Sequence, residues 1–343
     1  MCGPDTAMIG LPDDCFLRRN GTRVGQGGDR TLLNFAHPDV RARMHDYIDR
    51  MHEMGVRFIK NDYNDEMGYG DDQLGDSAAD GMLRHSLAFY GFIDEVRERH
   101  PDLIIENCAS GAMREDYGIM SHFHMVSTSD QENYTANPSI IAGTLAGILP
   151  EQAGIWSFPY PLMFPDKDHP EKLLDDEYLR SMADGEQTIF NMINGFCGNL
   201  YLSGHLEAAD ERNRALVREG VALYKRERKH IHNGYPVWPL GFARLNDRSG
   251  WTSVGIASED GNRILLAVWR LASPDDYQVI PLQTWAGCDA TVMQLYPEKD
   301  YAAEHYYSKD NGALTVRFSG TFQARYFEIV KQEAHHSNEE MRG

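Results

Sequence analysis

The most constraining feature of this chain is a change of rhythm. From about residue 31 to residue 230, short apolar runs alternate with segments whose apolar residues recur at helical spacing. Beyond residue 239 only short strand-like runs remain. Regular alternation of strand and helix predicts a parallel sheet, because a parallel neighbour is reached only by a crossover long enough to hold a helix. Strands are expected at 56–59, 103–107, 124–128, 153–158 and 200–203, and a short one at 31–35. Helices are expected at 38–51, with Val40, Met44, Tyr47, Ile48 and Met51 inward, and at 81–100, with Leu83, Leu87, Tyr90, Ile93 and Val96 inward. Further helices are expected at 113–120, 139–148 and 178–193, and a last one carries Val217, Val221 and Tyr224 on one face. Right-handed crossovers then allow a doubly wound sheet or a (β/α)8 barrel. Gly25-Gln26-Gly27-Gly28 follows no strand and is too compact for a dinucleotide fingerprint, so it reads as a turn.

Gly234, Pro236 and Pro239 break the rhythm. Runs at 251–257, 264–269, 277–282, 290–296, 314–318 and 326–330, punctuated by Gly, Asp and Asn, predict a small antiparallel β-sandwich. The expected organisation is an irregular segment over 1–35, a barrel portion over 36–235, the sandwich over 236–332 and a polar tail over 333–343.

Charge limits the partners. Lys and Arg number 33 against 52 Asp and Glu, a net −19, which disfavours nucleic-acid backbones and anionic membrane surfaces. No apolar run approaches the length of a membrane span, and residues 1–11 lack the basic and apolar regions of a signal peptide. The five cysteines (2, 15, 108, 197 and 288) are scattered and lack CxxC pairs, as in a reducing compartment. A cytoplasmic location is therefore expected.

In a parallel α/β domain, chemistry collects where strands end. Two carboxylates, Asp62 and Asp130, fall at such ends, two strands apart. Lys60, the turn Cys108-Ala109-Ser110-Gly111 and Arg114 accompany them. Paired carboxylates at a pocket are what glycoside hydrolysis requires. Trp156 reads equally as a sugar-stacking platform and as core. Asp65, Glu66, Asp71 and Asp72 read as a solvated acidic loop, and Met67 sits where a calcium loop needs Gly. His122 and His124 share a face, but no third ligand is in register, so no metal and no cofactor is expected. Cys108 has no evident His–Asp arrangement and reads as pocket wall. Glu207 and Asp210 read as caps of the last helix.

Four segments, in order, carry a family resemblance. Ile59-Lys60-Asn61-Asp62 resembles the nucleophile strand of the α-galactosidases of glycoside hydrolase family 36, the melibiases of clan GH-D. The segment from Glu106 to Arg114 resembles their Cys-x-Ser-Gly-Gly galactose-binding segment, Thr128-Ser129-Asp130 their acid/base strand, and Leu200 to His205 their eighth barrel strand. The resemblance implies about strands 4–8 of a (β/α)8 barrel followed by a β-domain, and a retaining hydrolase acting on α-galactoside oligosaccharides. It makes Asp62 the nucleophile and Asp130 the acid/base, with Lys60, Cys108, Ser110, Gly111 and Arg114 in the sugar pocket; Asn61 and Trp156 stand beside these as further substrate-binding candidates. The family often has Trp at the position of Asn61 and Gly at those of Ala112 and Met113. Its chains also carry a large β-domain and three barrel strands earlier, including an Asp pair that holds sugar hydroxyls. The expectation is therefore a weak hydrolase on its own, which self-associates or pairs with a complementing N-terminal portion. The alternatives are an α-N-acetylgalactosaminidase, a raffinose-synthase-like galactosyltransferase, or a non-catalytic sugar-binding module or subunit.

Overall fold

The structure, a computed structural model, describes residues 6–25, 30–64, 70–159, 184–204, 206–245 and 247–332. The turn at Gln26, Gly27 and Gly28, the acidic residues Asp65 and Glu66, the start of the 178–193 helix, His205 and the polar tail lie outside these residues. The chain comprises two compact units, residues 1–127 and 128–343.

The first unit opens with a hairpin of β1 (Arg18–Arg19) and β2 (Thr22–Arg23). Helix α1 (Pro38–Glu53) follows, capped by His37, whose ring accepts from Asp39 N. Three parallel strands come next in the order β3 (Phe58–Asp62), β4 (Ile104–Cys108) and β5 (Met125–Ser127). Helix α2 (Ala78–Arg99) joins the first two strands, and the four-residue α3 (Tyr117–Met120) lies between the last two.

Three expectations are corrected here. The strand at 31–35 is reduced to isolated bridges, one of them Phe16 with Leu33. The irregular segment before it is nonetheless core: Cys15, Phe16 and Leu17 have no exposure, although their backbone follows no regular period. In α2, Leu83 and Leu87 are 57% and 58% exposed. The buried stripe runs instead through Gly81, His85, Phe92, Ile93 and Val96. The helix carries two apolar stripes, and packing against α1 selects one: the rings of His45 and Phe92 lie 4.8 Å apart, and Arg41 donates to Ala88 O. Asp71 is not solvated. It is fully buried, and its carboxylate accepts from the backbone N–H groups of Arg18, Gln73 and Leu74. A buried carboxylate is tolerated when such donors surround it.

The second unit contains α4 (Asn137–Thr144), strand β6 (Ala153–Ser157), helix α5 (Glu186–Asn194), strand β7 (Asn199–Leu202) parallel to β6, and helix α6 (Glu211–Asn233). Asp210 caps α6 through Asn213 N, as expected. The sandwich follows. One sheet has the order β12 (Ala290–Tyr296), β15 (Gln323–Lys331), β10 (Arg263–Arg270), β9 (Trp251–Ala257), β8 (Tyr235–Val237); the other has β11 (Tyr277–Pro281), β14 (Ala313–Arg317), β13 (Glu304–Ser308). Ile264, Leu266, Val268, Phe327 and Ile329 of the first sheet meet Ile280, Leu314 and Val316 of the second in one core. The opposite face of β10 is also buried, through Leu265, Ala267 and Trp269. That explains why its sequence is an unbroken apolar run rather than an alternation. Strands β8 and β13 escape sequence detection, the first because of Pro236 and the second because it reads Glu-His-Tyr-Tyr-Ser. No helix among the described residues is long and apolar enough to cross a membrane.

Candidate active site

In the first unit the parallel register sets the chemistry. Phe58 lies beside Ile104, Lys60 beside Glu106 and Asp62 beside Cys108. Residues two apart on a strand share a face, so these three pairs form one ladder, apolar at one end and ionisable at the other. Lys60 Nζ lies 3.3 Å from Glu106 Oε1, and the Glu106 side chain is only 1% exposed. The ammonium thus balances a buried carboxylate one rung from Asp62. Cys108 is buried, and burial pushes its thiol up, with the Asp62 carboxylate adding to the effect. A thiol raised in this way is held toward its neutral form.

The loops beyond β3 and β4 are tied together. Tyr63 N donates to Cys108 O at 2.9 Å. Asn64 Oδ1 accepts from Ser110 N at 2.6 Å, and Asn64 Nδ2 donates to Asp62 Oδ2 at 3.3 Å. Ser110 and Gly111 both have positive φ, 48° and 80°. This reversal brings Gly111 O to Ala109 N, and glycine meets its backbone requirement at low cost. Arg114 closes the loop: its carbonyl accepts from Asn107 Nδ2, and its guanidinium lies 3.6 Å over the Tyr63 ring. Lys60, Asp62, Cys108, Ser110, Gly111 and Arg114 are therefore gathered on neighbouring strand ends.

Asn61 alternates with Lys60 and Asp62 along β3. Together with Asp62 and Arg114 it lines a cavity of about 140 Å³ that Phe35, Tyr63, His85 and Phe89 also face. His85 is held down to about 4 by burial.

Two residues with evident roles were missed in the sequence. For Glu106 the signal is its spacing of two from Cys108, which puts both on one face of β4. For Asn64 the signal is an amide two residues beyond the strand-end Asp62; it holds Asp62 and the Ser110 turn together.

The second unit holds Asp130 and Trp156. Thr128 N and Oγ1 both donate to Gly154 O at 3.0 Å, which fixes the approach to Asp130. Asp130 is exposed, in a loop shaped by Ser129 Oγ accepting from Gln131 N and by Gln131 Oε1 accepting from Asn133 N. Trp156 is half-buried beside Tyr201, with ring centroids 5.1 Å apart, and stacks on Phe158 at 6.0 Å. Gly154 is required beneath, since a Cβ there would fall 2.8 Å from the Tyr201 ring. In the first unit His122 Nδ1 pairs with Asp94, while His124 Nδ1 accepts from Ile105 N.

Known proteins share sequence and fold with this chain. Residues 1–152 match the Melibiase family model. The chain is 26% identical to an α-galactosidase of Escherichia coli over 80% of its own length and 35% of that protein's. It is also 26% identical to a probable α-galactosidase C of Aspergillus flavus, over 97% of the chain and 40% of the relative. A family 36 α-galactosidase variant of Geobacillus stearothermophilus, solved in complex with raffinose, shares the fold with a TM-score of 0.71 at 16% identity, covering 93% of this chain and 42% of that one. The chain thus spans roughly two-fifths of the length of the proteins it matches. Residues 1–152 are thus similar to the melibiases, and the chain as a whole is similar in sequence to part of known α-galactosidases and in fold to part of a family 36 structure.

Proposed function

We propose that the chain supplies the catalytic carboxylates of a retaining α-galactosidase. The observation that carries the proposal is the ladder Lys60–Glu106 and Asp62–Cys108, clasped at its open end by Asn64. Asp62 attacks the anomeric carbon while Asp130, protonated, donates its proton to the leaving oxygen. A glycosyl ester on Asp62 results. Asp130, now a carboxylate, takes a proton from water, which attacks the same carbon and releases galactose with its configuration retained. Cys108, Ser110, Gly111 and Arg114 shape the sugar pocket, and the half-buried Trp156 offers a ring face to the substrate. An α-galactoside oligosaccharide such as raffinose is the proposed substrate, since a neighbour in fold was solved with it.

Among the described residues of the first unit β3 pairs only with β4, and Phe58 and Ile104 are 47% and 38% exposed beside each other. We include in the proposal that this edge pairs with further polypeptide and that turnover by the chain alone is low.

The test is galactose release from raffinose and from a nitrophenyl α-galactoside. Asp62→Gly and Asp130→Gly should each lower turnover by at least about 100-fold. Azide should rescue both, giving the β-azide from the first and the α-azide from the second. Release that is unchanged in either variant overturns the assignment of that residue. The same azide anomer from both overturns the mechanism.

A further inference from the structure

We propose that Asp14, Cys15 and His37 form a divalent-cation site of zinc type, separate from the galactoside-cleaving residues. Cys15 Sγ lies 3.7 Å from His37 Nδ1, and Asp14 Oδ2 lies 3.7 Å from His37 Nε2. One ligand atom from each of the three residues falls within 4.8 Å of the others. Around a tetrahedral zinc ion, sulfur, nitrogen and oxygen ligands stand about 3.4–3.6 Å apart, as follows from their bond lengths. Closure therefore needs a contraction of about an ångström, set against those lengths. Asp14 can supply it by rotation, because its side chain is 67% exposed while that of His37 is only 21% exposed.

The scaffold is already assembled. Asn34, 6% exposed, donates from Nδ2 to Asp14 O and from its backbone N to Cys15 O, and its Oδ1 accepts from Ala36 N. One side chain thus clamps the segment bearing Asp14 and Cys15 to the one bearing His37. Three ligands and one open position for water is the composition of an accessible zinc site.

A second chemistry is excluded by the same geometry. Thiol, imidazole and carboxylate stand in the order used by cysteine nucleophiles. Cys15, however, has no exposure, so no acyl substrate reaches its sulfur. A bare cation needs no cleft. On binding, the Cys15 S–H proton leaves to solvent and the sulfur gives its pair to the metal. His37 Nδ1, giving up the hydrogen bond it accepts from Asp39 N, and an Asp14 oxygen give two more pairs, with the ring proton kept on Nε2 and no change of oxidation state.

The test is titration of the full chain with Co²⁺ under reducing conditions. One equivalent should bind, with a near-ultraviolet thiolate-to-cobalt band, and Zn²⁺ should displace it. Cys15→Ala should abolish the band, and Cys288→Ala should retain it. His37→Asn keeps an oxygen to cap α1 and should weaken binding at least about tenfold. A band unchanged in Cys15→Ala, undiminished affinity in His37→Asn, or no band at millimolar cobalt overturns the site.

Discussion

The buried imidazole of His85 predicts a specific form of acid sensitivity. His85 is 4% exposed and lines the cavity beside β3, and its Nδ1 has no hydrogen-bond partner among the described residues. Burial holds its folded value at about 4, against an ordinary 6.5. Between these values the unfolded chain binds the proton and the folded chain does not. Stability is therefore highest above the unfolded value and falls as pH drops through 6.5 toward 4. The complete shift corresponds to about 3.4 kcal/mol, at 1.36 kcal/mol per unit. Linkage gives about 1.4 kcal/mol lost by pH 5.5 and about 2.6 kcal/mol by pH 4.5. His85→Phe removes the titrating group and keeps a flat ring near Phe35, whose centroid lies 6.2 Å from that of His85. Urea unfolding of both proteins at about pH 7.5, 5.5 and 4.5 measures the difference. The variant should gain on the wild type by those amounts as pH falls. Glu115, pushed up to about 7 by burial, acts with the opposite sign: its folded form takes the proton first, so its contribution is lost as pH rises through 7. It is present in both proteins and cancels in the comparison. Stability differences that stay constant across pH would refute the reasoning.

Two further outcomes follow from packing. Arg325, 5% exposed, donates to both Glu186 oxygens at 2.8 Å, joining α5 to β15. Glu186→Ala leaves that guanidinium buried and should cost about 3–5 kcal/mol in urea unfolding; a loss below about 1 kcal/mol contradicts the buried pair. At Gly81 a Cβ would fall 2.1 Å from Asp71 O, a backbone atom of the loop pinned to Arg18. Gly81→Ala should lower stability by about 1–3 kcal/mol, and an unchanged thermal midpoint would show that this loop moves freely.

The strand–helix rhythm was legible because its cause is local. A strand buried on one or both faces and a helix buried on one stripe each impose a period on their own residues. The runs at 251–257 and 290–296 coincide with β9 and β12 residue for residue. Asp62 and Cys108 were legible as strand-end residues, and Asp210 as a cap, for the same reason. What escaped depends on neighbours remote in sequence. Leu83 and Leu87 have helical spacing, but α1 decides which stripe of α2 is covered. Asp71 carries the composition of a surface loop and is buried because Arg18, some fifty positions earlier, presents its N–H. Glu106 became a site residue only when the β3–β4 register set it beside Lys60. Cys15 and His37 met because Asn34 folded one segment onto the other. Period and end signals are written within a few residues, so the sequence alone determined most of the elements and which residues stand at their ends. Facing, register and burial are properties of pairs of elements, and only the tertiary structure decided them.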